Sequence, residues 1–85
     1  MKLSFSKKFI RDYQKLPQQI QLQADKQLGL LLSDAQHPSL NMKKMHDPRE
    51  IWECRVNFSY RFTFQIDGER YIMRQVGTHD VLKKP

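Results

Sequence analysis

Eighty-five residues, 39% hydrophobic and 28% charged, describe one small soluble domain (1–85), with no room for a second core. No apolar run approaches the ~20 residues of a membrane span, Met1–Ser6 lacks a signal-type apolar stretch, and the lone Cys54 excludes an internal disulfide and suits a reducing cytosol. Fifteen Lys and Arg against nine Asp and Glu leave +6, split as six basic and three acidic over residues 1–40 and nine and six over 41–85, so any basic site must be assembled by folding.

Residues 2–5 alternate as a short strand with Leu3 and Phe5 on one side. Ser6 is placed to cap a helix whose apolar face is Phe9, Ile10, Tyr13 and Leu16. Pro17 ends that helix and starts the next, which carries the stripe Ile20, Ala24, Leu28, Leu31 and Ala35 and a Gln-rich face at Gln19, Gln23 and Gln27. His37-Pro38-Ser39 closes it. The second half reads as strands: a short one within 41–45, then Ile51 to Val56, Tyr60 to Ile66 and Arg70 to about Val76. Asp67-Gly68 predicts a two-residue hairpin turn. Gly77-Thr78-His79-Asp80 leaves the sheet, and Val81 to Pro85 forms a tail. The predicted fold is α+β in two layers, with the αα-hairpin packed on one face of a mainly antiparallel sheet of four to five strands.

Strand parity makes the first functional statement. Trp52, Cys54 and Val56 alternate with Glu53 and Arg55, while Tyr60, Phe62, Phe64 and Ile66 alternate with Arg61, Thr63 and Gln65. Residues opposite each other in an antiparallel pair share a face, so burying both apolar sets with 57–59 as the loop pairs Cys54 with Phe62 and sets Arg55 across from Arg61. An Asp67-Gly68 turn then brings Arg74 opposite Arg61, giving three arginines in a row on the face turned away from the helices. Like charges placed opposite cost roughly 0.2–1 kcal/mol per pair. An anion among them offsets that cost, and guanidinium groups grip phosphate oxygens in bidentate fashion. The competing reading is a surface network neutralised by Glu50, Glu53 or Asp80.

Two loop histidines, His79 past the last strand and His46 in the turn before Trp52, are placed to approach these arginines. Cationic clamps beside imidazoles that exchange protons near neutral pH suit RNA cleavage by the 2′-hydroxyl. Three scattered histidines and one core-facing cysteine lack metal-ligand spacing, so no metal or cofactor is expected. Cys54 is predicted to be core, His37 an ordinary surface residue, and Trp52, Tyr60, Phe62 and Phe64 core aromatics before a base-stacking ladder.

The β-α-α-then-strands order, the Trp52-to-Arg55 strand, Ser59-Tyr60-Arg61 with its alternating aromatics, and the Gly77-Thr78-His79 ending resemble the RelE/ParE superfamily of bacterial type II toxins. The chain is most similar to the RelE and YafQ branch of ribosome-dependent mRNA interferases. The resemblance implies a catalytic proton-transfer role for His79 and a transition-state role for Arg61. For His46 it implies a second acid/base or positioning role, the choice of base and acid remaining open. It also implies phosphate contacts for Arg55; Arg74, Lys43 and Lys44 are the remaining candidates. Ser59 stands where YafQ-like members have an acidic residue, and no basic-plus-tyrosine segment of RelE type follows the last strand.

The same resemblance implies a cytoplasmic endoribonuclease that cuts mRNA in the ribosomal A site. There 16S ribosomal RNA would meet Lys2, Lys7, Lys8, Arg11, Lys43 and Lys44. A cognate antitoxin with an acidic flexible tail is the implied protein partner, and operator DNA is reached only through that complex; no membrane is involved. Two alternatives remain: a ParE-like DNA gyrase inhibitor, whose members lack the histidine-ended segment, and a decayed toxin that only binds its antitoxin.

Overall fold

The computed structural model describes all 85 residues. Strand β1 (Lys2–Phe5) ends at Ser6, whose hydroxyl accepts the Phe9 amide at 3.0 Å and so caps α1 (Lys7–Gln14). Pro17 follows as the entry to α2 (Gln18–Ser33). A 3₁₀ turn at Pro38–Leu40 leads into β2 (Lys43–Lys44), then β3 (Trp52–Arg55), β4 (Tyr60–Asp67) and β5 (Arg70–Thr78). A second 3₁₀ turn, His79–Leu82, follows β5. The five strands form one sheet in the order β1-β5-β4-β3-β2, antiparallel except for β1 beside β5. This is the predicted two-layer α+β arrangement.

One apolar cluster fills the space between helices and sheet. Phe9 and Leu16 contribute from the first helical segment, Ala24, Leu28 and Leu31 from α2, and Cys54, Phe62, Phe64, Met73 and Val76 from the strands. The α2 stripe is therefore core-facing as its spacing predicts. Gln27 departs from its predicted solvent face. It is buried, and its amide donates to Arg55 O at 2.9 Å and Ser39 O at 3.2 Å. Strand β2 pairs only with Trp52 and Glu53, so the end of β3 receives this side-chain donor instead of a strand neighbour.

Strands β3 and β4 pair in the predicted register: Trp52 with Phe64, Cys54 with Phe62, and Arg55 with Arg61. The β4–β5 pairing differs. Its turn is Gly68-Glu69 between the paired Asp67 and Arg70, and only Gly68 has positive φ (60°), the glycine-first pattern of a type II′ turn. A bulge then interrupts the ladder between Thr63 and Phe64, opposite Arg74, and Arg61 pairs with Gly77. The cause is packing: Met73 and Val76 lie three apart, both are buried, and an extra residue between them keeps both on the core face.

The face away from the helices is not open either. The chain after β5 folds back across it. Thr63, fully buried, donates to Pro85 O at 3.4 Å, Arg74 Nε donates to the same oxygen at 3.0 Å, and the Gln75 amide donates to Lys84 O. No helix is long and apolar enough to cross a membrane.

Candidate active site

Alternation fixes the centre of the site. Arg55 and Arg61 are cross-strand partners on one face, and no ion pair engages either of them. Arg61 is the unusual member, with only 6% of its surface exposed. Its Nη1 donates to three carbonyls of the β3–β4 connection: Asn57 O at 2.5 Å, Tyr60 O at 2.9 Å and Phe58 O at 3.2 Å. Burial first, then the Arg55 charge, lowers its pKa from the ordinary guanidinium value, while Glu53 acts the other way. A guanidinium remains cationic at neutral pH under such a shift. A positive charge is thus held, without a counter-ion, beside a second one.

Beside Arg61 lies a surface cleft of about 410 Å³ lined by Phe58, Ser59, Arg61, Thr78, His79 and Asp80. His79 opens the last 3₁₀ turn, and its amide donates to Ser59 O at 3.1 Å, tying the end of β5 to the β3–β4 connection. The two segments that carry Arg61 and His79 are therefore fastened to each other by backbone. Gly77 permits the close return of the chain here. A Cβ at that position would lie 2.9 Å from Val81 Cγ1.

The other candidates are placed differently. Arg74 is not in line with Arg55 and Arg61, because the bulge takes it out of the ladder; its guanidinium instead donates to Pro85 O and, at 3.0 Å, to Gln65 Oε1. The expected row of three arginines is a pair. His46 is exposed on the β2–β3 connection, whose Arg49 carbonyl accepts the Gln65 amide at 2.9 Å. Gln65 is five residues along β4 from Tyr60, roughly 17 Å at ordinary strand rise, so His46 and His79 are not brought together. Lys43 lies across from Glu53 and shares the arginine face, whereas Lys44 lies across from Trp52, on the other face, with Glu50 at 3.3 Å.

Cys54 is buried, and desolvation, with a smaller contribution from Glu53, pushes its thiol up to about 12. It is a core residue rather than a nucleophile. Phe58, Thr78 and Asp80 complete the cleft from strand ends, where alternation carries no information. The one visible signal was Phe58 itself, an aromatic in an otherwise polar Asn57-Phe58-Ser59 turn.

The family model for a ParE-like toxin domain matches residues 18–81. Among solved structures, the chain is similar to YafQ from E. coli strain BL21(DE3), with a TM-score of 0.77, 10% identity and 94% of each chain covered. It is similar also to the YoeB/ParE toxin from Agrobacterium tumefaciens, with a TM-score of 0.77, 16% identity, and 93% of this chain and 99% of that one covered. The RelB-RelE antitoxin-toxin complex from Methanococcus jannaschii matches with a TM-score of 0.76, 18% identity and 95% of each chain covered. No curated protein matches the sequence. At these identities the structural likeness speaks for the fold.

Proposed function

The chain belongs to the ParE-like toxin domain family of the RelE/ParE superfamily, and on that premise we propose that it is the toxin of a type II toxin–antitoxin pair, an endoribonuclease acting on ribosome-bound mRNA. The observation that carries the reading is the cleft lined by both His79 and Arg61, which no ion pair engages, with Arg55 paired alongside Arg61.

In the reaction a base takes the proton from a ribose 2′-hydroxyl. The 2′-oxygen attacks the adjacent phosphorus, the bond to the 5′-oxygen breaks, and an acid returns a proton to that oxygen. A 2′,3′-cyclic phosphate and a free 5′-hydroxyl result. Negative charge grows on the non-bridging oxygens, and Arg61 and Arg55 supply fixed positive charge there without reorganisation. His79 transfers a proton at the cleft. His46, at the far end of the sheet, keeps a positioning role for RNA lying along the face, and Lys43 contributes charge on that same face. Arg74, committed to Pro85 and Gln65, secures the returning chain segment.

An acidic antitoxin is the proposed protein partner, suited to the +6 chain, and 16S ribosomal RNA the second polyanion. Expression without antitoxin should arrest growth. Cut sites mapped in a translating extract should depend on ribosomes, and His79→Ala should lower cleavage by on the order of 10²–10³. The ParE-like description of the matching family model favours one other reading, inhibition of DNA gyrase. Growth arrest with intact messages and blocked supercoiling would select it.

A further inference from the structure

Phe58 is 88% exposed, far beyond the next large apolar side chain, Leu22 at 62%. It stands at the rim of the Arg61–His79 cleft, whose other five lining residues are polar or charged. An aromatic ring held in water is unfavourable, and a mobile loop would let it fold down. This loop does not do so, because its backbone is fixed on both sides of the ring. Asn57 Oδ1 accepts the Ser59 and Tyr60 amides at 2.8 and 2.9 Å, and Asn57 Nδ2 donates to Gln23 Oε1 at 2.6 Å. Phe58 O accepts from Arg61 at 3.2 Å and Ser59 O from His79 N at 3.1 Å. The bonds that set the arginine and the histidine also set the ring.

We propose that Phe58 is a base-stacking platform: an unpaired nucleobase beside the scissile phosphate lies on its face while the phosphate meets Arg61. This rests on the ribonuclease reading and adds a residue that binds the substrate without taking part in proton transfer. A flat apolar ring flanked by cationic and polar groups, with no second apolar side chain in the cleft, matches a nucleotide, which is a π-face joined to an anion. A protein partner would need neighbouring apolar surface to bury. The backbone that carries the ring is preorganised, so stacking has to order little beyond the two side-chain torsions of Phe58.

The test uses the full chain and a short single-stranded RNA that carries 2-aminopurine and a 2′-deoxy sugar at the cleavage position, so that binding is read without chemistry. The parent should quench the 2-aminopurine and bind measurably. Phe58→Ala should weaken binding by roughly 5- to 150-fold, the range of one lost base–aromatic stack, and abolish the quenching. Phe58→Trp should retain both, whereas Phe58→Leu, apolar but not flat, should lose the quenching. All three should melt with the parent, because the side chain packs against little.

Equal binding by parent and Phe58→Ala, or no binding of the oligonucleotide by the parent, overturns the proposal. So does Phe58→Leu matching Phe58→Trp, which would mark an apolar contact that needs no flat ring. Cleavage is scored separately, on all-ribose message in a translating extract with ribosomes present. Cutting that ignores Phe58→Ala refutes the platform and leaves the nuclease standing, while Phe58-dependent stacking without cutting does the reverse.

Discussion

Replacing Arg61 by alanine tests whether one side chain both builds the cleft and acts in it. In the structure its Nη1 holds Asn57 O at 2.5 Å, Tyr60 O at 2.9 Å and Phe58 O at 3.2 Å. One nitrogen has two hydrogens, so these amount to two full bonds, each worth about 1.5–3 kcal/mol when the donor is charged. Against that total stand the burial of the guanidinium and its repulsion by Arg55, which the truncation relieves by about 0.2–1 kcal/mol. The carbonyls at the exposed part of the loop regain water. A net loss of about 2 kcal/mol remains, equivalent in a domain of this size to a melting point lower by roughly 8–16 °C. Cleavage should fall by on the order of 10²–10³ in addition, as for removal of one transition-state donor. Thermal denaturation followed by circular dichroism gives the first quantity. Single-turnover cleavage, run well below the variant's transition, gives the second. Arg61→Lys keeps the charge without the fork and should lie between parent and alanine on both scales. His79→Ala should leave stability unchanged, since that side chain is exposed, and lose activity alone. An Arg61→Ala protein that melts with the parent would show that the carbonyl contacts do not hold the loop. One that is folded and cleaves within a few-fold of the parent would remove the cation from the mechanism.

Gly77→Ala places a Cβ 2.9 Å from Val81 Cγ1, so the His79–Leu82 turn must shift. Overpacking of this kind costs about 1–3 kcal/mol, and the double variant Gly77→Ala/Val81→Ala should recover most of the lost stability and activity in a mutant cycle. Cys54 should resist alkylation at pH 8 until the protein is denatured, as followed by mass spectrometry, because burial pushes its thiol to about 12 from an ordinary 9.0. Above pH 9 the unfolded thiol loses a proton that the native one keeps. Stability should therefore decline as pH rises from about 9 towards 12, and Cys54→Ala should flatten that decline in urea melts. At the acid end, hydrogen bonds from the Arg49 side chain and backbone hold the Asp47 carboxyl at about 2, below its ordinary 3.8. Its contribution is present above pH 3.8 and lost as pH falls through about 2, and a carboxyl titration followed by NMR should find that midpoint.

Parity explains which half of the site was legible. Two strands with clean alternation and a three-residue connection have one register that buries both apolar sets, so Arg55 had to meet Arg61. Alternation fails at Arg74 because Met73 and Val76 are both apolar and three apart, a spacing no regular strand buries on one face. That spacing is itself the sign of a bulge; the turn at Gly68-Glu69 moves the register by two residues and the bulge by one more, so Arg61 meets Gly77 instead of a third arginine. Thr63 looked like a solvent position by the same rule. It is covered because the chain after β5 returns over the sheet and brings Pro85 against it, where the Pro85 carbonyl also accepts from Arg74. Gln27 departs for a related reason: composition places it on a polar face, yet the end of β3 extends past its short neighbour and takes the glutamine as its donor.

The two kinds of information also differ in how freely they change. The arginine pair follows from a pattern that the core itself requires, whereas His79, Asp80 and Phe58 sit on strand ends that the core leaves unconstrained. A fold shared at 10–18% identity is what such a division produces. The apolar alternation needs a class of residue, not particular residues, while the core places no demand on the groups around the cleft. An arginine that is both loop anchor and cleft cation joins the two layers. Exchanging it should disturb the scaffold and the proposed chemistry together, so melting and single-turnover cleavage have to be read side by side.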